Sequence, residues 1–289
     1  MPTQTELTIP YFAQLIGWVE VALRALGYQV TLVGPSRDQR APERGWEGIR
    51  ERRFDGMIIL GSAVEARAVA FMADAPLAPI VALDYDGVTS LPVIRSDVQP
   101  GLAAAMRYLA SCGHRNVLWV GKAPPNAPGQ LDVREQIFIQ EAWRNEIQGE
   151  SIYCLPIPEP YSAQSHGRQI AASSYAATRA RLRSGERRFT AVVGYSDPIA
   201  IGSLHAVLDH GLSVPGDVSL IGHDNWESQL TRPSLASVDL HLERVARSAV
   251  GLLLEMIQDP RIISETRTSL RRIDAEFLAR ESVGPASSI

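Results

Sequence analysis

Cysteine is nearly absent. Two residues, Cys112 and Cys154, in a chain of 289 build no disulfide framework and suit a reducing, cytoplasmic compartment. No apolar run approaches the roughly 18–20 residues that span a bilayer. The first residues show no basic segment leading into an apolar one, so export is not expected. Positive charge is also short: the formal net charge is -4. A chain that gripped nucleic acid by itself would carry basic surface to neutralise phosphates. The clusters Arg50, Arg52, Arg53 and Arg187, Arg188 each precede an apolar run and read as solvated helix ends. The six histidines, His114, His166, His205, His210, His223 and His241, show no H-x-x-x-H or H-E-x-x-H spacing. No glycine-rich loop of the G-x-G-x-x-G or G-x-x-x-x-G-K-[ST] type cradles a phosphate. Neither a metal nor a cofactor is expected.

What remains is an ordinary globular composition, 45% hydrophobic and 21% charged, with length for about two domains. Strand-like and helix-like segments alternate. Leu15, Ile16, Val19, Ala22, Leu23 and Leu26 recur at helical spacing, Gly27 stops the helix, and Tyr28 to Val33 reads as a strand. A polar helix around Glu43 to Arg53, the run "FDGMIILGS", a helix from Glu65 to Met72 and the strands "APIVALDYDG" and "LPVIRSD" follow. Helix Gly101 to Cys112, strand "NVLWVG", helix Glu135 to Asn145, strand "SIYCLPI" and helix His166 to Ser184 continue the rhythm. "FTAVVGYSD", helix Pro198 to His210, "DVSLIGHD" and "LASVDLH" come next. The amphipathic helix Leu242 to Ile257 and the strands "TRTSLRRID" and "AEFLARESV" close the chain. Only "APPNAPG" and the last few residues read as flexible. Apolar strands alternating with helices predict α/β architecture with parallel sheets covered on both faces, here two doubly wound lobes. The opening "MPTQTELTIP" reads as a strand-to-helix loop, so the first strand of the N-terminal lobe is expected to lie upstream of Met1.

Ligands bind such sheets beyond the carboxyl ends of the strands. The ends to inspect are Gly61-Ser62, Asp84, Gly121, Ser196-Asp197 and Asp224. "IVALDYDGVTS" places Asp84 at a strand end with Asp86 two residues on, similar to the first motif of haloacid-dehalogenase-type phosphatases. That chemistry also needs a lysine and a second acidic pair; Lys122 is at hand, but no clear acidic pair follows. The plainer reading is an Asp capping a turn that Asp86-Gly87 completes. "VVGYSDPIA" puts Ser196 at a strand-to-helix turn, but Pro198 replaces the glycine that a nucleophile elbow requires and suits a helix start instead. The remaining polar strand ends, with Tyr11, Phe12, Tyr161 and Trp226 beside them, suit a small polar ligand held by aromatic faces and a carboxylate such as Asp224.

"IPYFAQLIGWVEVALRALGYQV", "FDGMIILGS", "CGHRNVLWVG", "AVVGYSDPIAIGSLHAVLDHGLSVPGDVSLIGHDN" and "RPSLASVDLHLERVARSAVGLLLEMI" resemble, in order, the signatures of the LacI/GalR repressor family. The resemblance implies a sensor of the periplasmic-binding-protein type with three crossover connections, near Pro100, Asp239 and Asp274. One lobe would hold residues 1–100 plus 240–274, the other 101–239 plus 275–289, with an effector in the cleft. It further implies a homodimer that reaches operator DNA through a helix-turn-helix headpiece, which this sequence lacks. Carried over, Tyr11 and Phe12 fall where purine-type repressors stack their ligand, Tyr161 on the opposing platform, and Asp224 on the pocket acid. Ser196-Asp197 stands where Asn-Asp is usual. Gln136 is placed where the family has a ligand-clamping arginine, with Arg134 two positions away. A neutral amide there implies a neutral sugar or nucleoside. A sugar-binding protein for uptake and the phosphatase using Asp84 and Asp86 are the alternatives.

Overall fold

A computed structural model describes residues 10–32, 47–60, 78–85, 89–122, 131–155, 163–185, 188–226 and 228–288. The expected helix Glu65 to Met72, the strand end Gly61-Ser62, Asp86, "APPNAPG" and Tyr161 lie outside the described residues. The chain divides into two compact units, Met1–Ser96 with His241–Ile273, and Asp97–Leu240 with Asp274–Ile289.

In the first unit, helix α1 (Pro10–Arg24) precedes strands β1 (Met57–Leu60), β2 (Ile80–Leu83) and β3 (Val93–Asp97). These three are parallel neighbours, and β9 (Leu270–Asp274) lies at the other edge, in the order β1-β2-β3-β9. α1 buries Phe12, Leu15, Val19, Ala22 and Leu23 and packs on α6 (Leu242–Gln258), whose own apolar stripe includes Val245, Ala249, Leu252, Leu253 and Met256. Gly27 terminates α1 in the left-handed region at φ 84, and Tyr28 N–H reaches back to the Leu23 carbonyl at 3.1 Å. The expected strand after it does not form over Tyr28–Leu32. Among the described residues the segment pairs with no strand, and it is largely exposed, so β-propensity alone does not make it one. The expected strand from Thr266 is likewise shorter, because Arg261–Thr266 forms a short helix, α7, and pairing begins only at Leu270.

The second unit holds α2 (Val98–Ser111), β4 (Asn116–Gly121), α3 (Val133–Arg144), β5 (Gln148–Tyr153), α4 (Ala163–Arg183), β6 (Ala191–Gly194), α5 (Asp197–Asp209), β7 (Ser219–His223), β8 (Ala236–Asp239) and β10 (Glu276–Leu278). Its sheet runs β10-β8-β7-β6-β4-β5, parallel throughout except for β10, which lies antiparallel to β8. β5 begins three residues earlier than its apolar composition suggests. Register with β4, from Asn116↔Gln148 to Gly121↔Tyr153, decides its position. As a largely exposed strand it needs no continuous apolar run. β4 leads on to β5 on one side and the chain then returns to β6 on the other, so the strand order reverses between β4 and β6.

The core of this unit fills both faces of the sheet. Leu118, Val120, Phe189, Val192, Ile199, Leu204 and Leu220 cluster on one face. Trp119 stacks on Phe138 of α3, with centroids 5.3 Å apart, on the other. His114 is buried and holds the N-terminal end of β4. Its Nε2 donates to the Gly284 carbonyl at 3.1 Å, so its Nδ1 accepts from Thr190 at 2.7 Å. α4 and α5 approach so closely that a methyl group at Gly202 would sit on Ser174 Oγ and the Ala171 carbonyl. Gly202→Ala is therefore expected to cost about 1–3 kcal/mol by forcing the helices apart, read as a lowered denaturation midpoint.

Candidate functional site

Parallel strands bring their carboxyl ends to one side, and the reversal point between β4 and β6 is where a crevice opens in such sheets. Lys122, Tyr195 and Asp224 follow β4, β6 and β7 directly. Asp132 caps α3, its Oδ1 accepting from Arg134 N–H at 2.9 Å. Arg134 then turns inward. Its Nη1 donates to the Tyr195 carbonyl at 2.7 Å and pairs with Asp224 Oδ1 at 3.3 Å, with the two side chains only 13% and 15% exposed. The guanidinium lies 4.6 Å from the centre of the Tyr195 ring.

Asp224 and Asn225 both adopt positive φ, 93° and 54°, which Asp and Asn tolerate better than other side chains. This turn is braced from below. Asn225 N–H donates to Ser237 Oγ at 3.1 Å, and its Nδ2 donates to Asp239 at 3.0 Å. Arg280 donates to Asn225 Oδ1 at 2.5 Å and to Ser228 Oγ at 2.8 Å. Asp197 is fully buried and accepts from Trp226 N–H at 2.9 Å and Ser237 Oγ at 2.7 Å. Burial, reinforced by the charge of Asp224, pushes its carboxyl up to about 7. A side chain at Gly222 would collide with its Oδ1, so glycine there makes room for the brace. His223 is fully buried too, and its Nδ1–H donates to the Gly194 carbonyl at 2.8 Å. Burial and then the charge of Arg134 lower its pKa to about 3, which keeps it neutral.

The expected site residues therefore separate. Asp224 stands at the strand end, and Asp197 lies beneath it as a strut. Trp226 is 42% exposed and Ser196 is the N-cap of α5, without a capping bond from its side chain. In the first unit, Tyr11 donates its hydroxyl proton to Asp84 at 2.6 Å, and Phe12 is buried edge-on to the Tyr11 ring. Gln136, expected to face the ligand, is exposed and bonds the Leu131 carbonyl at 2.9 Å, while Arg134 reaches Asp224. Residues four apart share a helix face, so Arg134 lies on the same side as buried Phe138, and Gln136 lies well around the helix from both. Lys122, Asp132 and Tyr195 were not singled out as ligand residues, and nothing local in the sequence marks Tyr195.

Parallel α/β units of this kind commonly bind ligands at the strand ends, where Lys122, Arg134 and Asp224 cluster. The family comparisons sharpen this. Residues 106–283 match the periplasmic binding protein-like domain, and residues 4–145 match the periplasmic binding proteins and sugar binding domain of the LacI family. The chain belongs to the LacI-family, periplasmic-binding-protein-like domains. It is 26% identical over 277 residues to the HTH-type transcriptional repressor PurR of Haemophilus influenzae (strain PittEE), covering 95% of this chain and 78% of that protein. To the repressor CytR of Escherichia coli (strain K12) it is 28% identical, covering 94% and 75%. A solved LacI family transcriptional regulator from Enterococcus faecium, with bound ribose, shares the fold at a TM-score of 0.75 and 23% identity over 98% of this chain and 97% of that one. Among the described residues no helix is long and apolar enough to cross a membrane.

Proposed function

We propose that this chain is the effector-sensing domain of a LacI-family transcriptional regulator, and that its effector is a small neutral molecule rich in hydroxyls, a sugar or nucleoside. The observation that carries this is the Arg134–Asp224 pair at the strand ends. A hydroxyl both donates and accepts, so it can bridge a carboxylate and a guanidinium without disturbing their charge balance. An anionic ligand would have to displace Asp224 from Arg134, and Lys122 is already matched by Asp132 at 3.1 Å. Charge balance thus replaces Gln136 as the reason for a neutral effector. The relatives fit: two are named as repressors, and ribose is bound in the Enterococcus regulator.

From the second unit we assign to the effector Arg134, Asp224, Ser196 and the half-exposed Trp226; Tyr161 joins them on the family resemblance alone. Tyr11 and Phe12 are the aromatic pair the first unit offers. Gln136 is not assigned, and Asp197 supports the site from beneath. A cytoplasmic homodimer that meets operator DNA through a helix-turn-helix domain completes the proposal. Asp84 accepts from the Tyr11 hydroxyl, and the relatives named as repressors favour a sensor over the phosphatase reading of Asp84 and Asp86. A library of sugars, nucleosides and their phosphorylated or carboxylated counterparts, screened by melting temperature, tests the reading. An upshift with at least one neutral compound is expected. Upshifts confined to anionic compounds would overturn it.

A further inference from the structure

Lys122 is the only lysine in the sequence; all its other basic side chains of this type are arginines. It stands at the carboxyl end of β4, where the strand order reverses. Its ammonium donates to the Tyr195 hydroxyl at 2.9 Å, pairs with Asp132 at 3.1 Å, and lies 4.5 Å from the Tyr195 ring centre. The Arg134 guanidinium lies 4.6 Å from the centre of that same ring. The contacts close into a circuit. Arg134 N–H bonds Asp132, Asp132 pairs with Lys122, Lys122 holds the Tyr195 hydroxyl, and the Tyr195 ring and carbonyl hold the Arg134 guanidinium.

We propose that Lys122 and Tyr195 are a positioning pair for Arg134, fixing its guanidinium toward Asp224 and so setting effector affinity without having to touch the effector. The proposal rests on Arg134 being an effector-binding group. An arginine side chain has many rotamers to lose, and a fork held in place beforehand loses less of that freedom on binding. Tyr195 supplies the plate. Its backbone N–H is fixed to the Val120 carbonyl at 2.9 Å, and the edge of Trp119 meets its ring at 82°. At the ring's outer end the hydroxyl accepts from the Lys122 ammonium. An ammonium suits that place because its three N–H groups rotate freely, so one can serve a phenol and another a carboxylate while the charge faces the ring. Burial opposes the charged amine, but the Tyr195 hydroxyl and Asp132 hold its pKa above the usual lysine value.

The test uses Lys122→Met, Tyr195→Leu and Tyr195→Phe in the full chain, with circular dichroism to confirm folding. Two readouts are taken: the side-chain NMR signal of Arg134, assigned by its loss in Arg134→Met, and calorimetric titration with D-ribose. In the unmodified chain the Arg134 Nε–H signal is expected to be sharp, with slow rotation about Nε–Cζ. Lys122→Met and Tyr195→Leu should both broaden it and speed rotation. Tyr195→Phe, which keeps the plate but releases the lysine, should fall between. D-ribose affinity should drop about tenfold in Lys122→Met, the loss of roughly one charge-assisted contact's worth of order. An Arg134 signal unchanged in Lys122→Met overturns the proposal. If the unmodified chain takes up no D-ribose, that result counts against ribose as the effector, and the Arg134 signal alone decides for or against the positioning pair.

Discussion

Replacing Arg134 with methionine is expected to weaken effector binding by at least about a hundredfold while leaving the fold intact. A hydrogen bond to a charged group contributes about 1.5–3 kcal/mol, and about 1.4 kcal/mol is tenfold in affinity. The substitution removes the direct bond and also the charge that orients Asp224, so two contacts fail together. The fold survives because Arg134 is only the second residue of α3 and methionine keeps its apolar stem. The capping bond from Asp132 uses the backbone N–H and is untouched. Lysine should not rescue binding. A point charge cannot meet the Tyr195 carbonyl and Asp224 while lying flat on the ring. Titration calorimetry on the compound giving the largest melting shift, beside a denaturant curve, checks both halves of this expectation.

A second large effect is hidden in the wild-type chain by cancellation. Asp197 has its carboxyl pushed up to about 7 by burial and by Asp224, whereas an unfolded Asp titrates near about 3.9. Between those values the folded state binds a proton that the unfolded state does not, so this contribution to stability declines as pH rises. His223 does the reverse. Burial and Arg134 lower it to about 3, while unfolded His titrates near about 6.5, so its contribution is lost as pH falls. Each slope is about 1.4 kcal/mol per pH unit, and the windows overlap between about pH 4 and 6.5. Asp197→Asn should uncover the histidine slope, with stability falling by about 2–3 kcal/mol from pH 6.5 to 4.5. His114, lowered chiefly by burial, adds in the same direction. His223→Gln should uncover the opposite slope, with stability rising by a similar amount toward pH 4.5. Urea unfolding at the two pH values measures both: a flat profile in Asp197→Asn would refute the assignment of the buried histidine, and a flat profile in His223→Gln that of the buried carboxylate.

The fold was legible because its signals are periodic. Apolar runs at β2, β4, β6 and β7 and the stripe of α6 needed only pattern to be placed. Where no pattern operates, the expectation slipped. β5 is set by register with β4, and the segment after Gly27 is β-like in composition yet forms no strand over Tyr28–Leu32. At the site, strand-end carboxylates were visible because they follow apolar runs, which led to Asp84, Asp197 and Asp224. Their roles were not visible. Asp197 and Asp224 lie close enough to act on each other, but Asp197 is fully buried under the turn while Asp224 pairs with Arg134 and is partly exposed. Gln136 and Arg134 stand two residues apart, which on a helix turns one side chain outward and the other toward Asp224, a difference the sequence alone does not display. Tyr195 and Lys122 follow different strands, and the folded sheet brings them together.

The most direct test of the central claim is the Asp224→Ala variant, titrated with the neutral sugar or nucleoside that raises the melting temperature of the unmodified chain. One molecule per chain is predicted to bind the unmodified protein, and binding to Asp224→Ala should be lost while its unliganded melting temperature stays within a few degrees. Unaltered binding to Asp224→Ala would contradict the account.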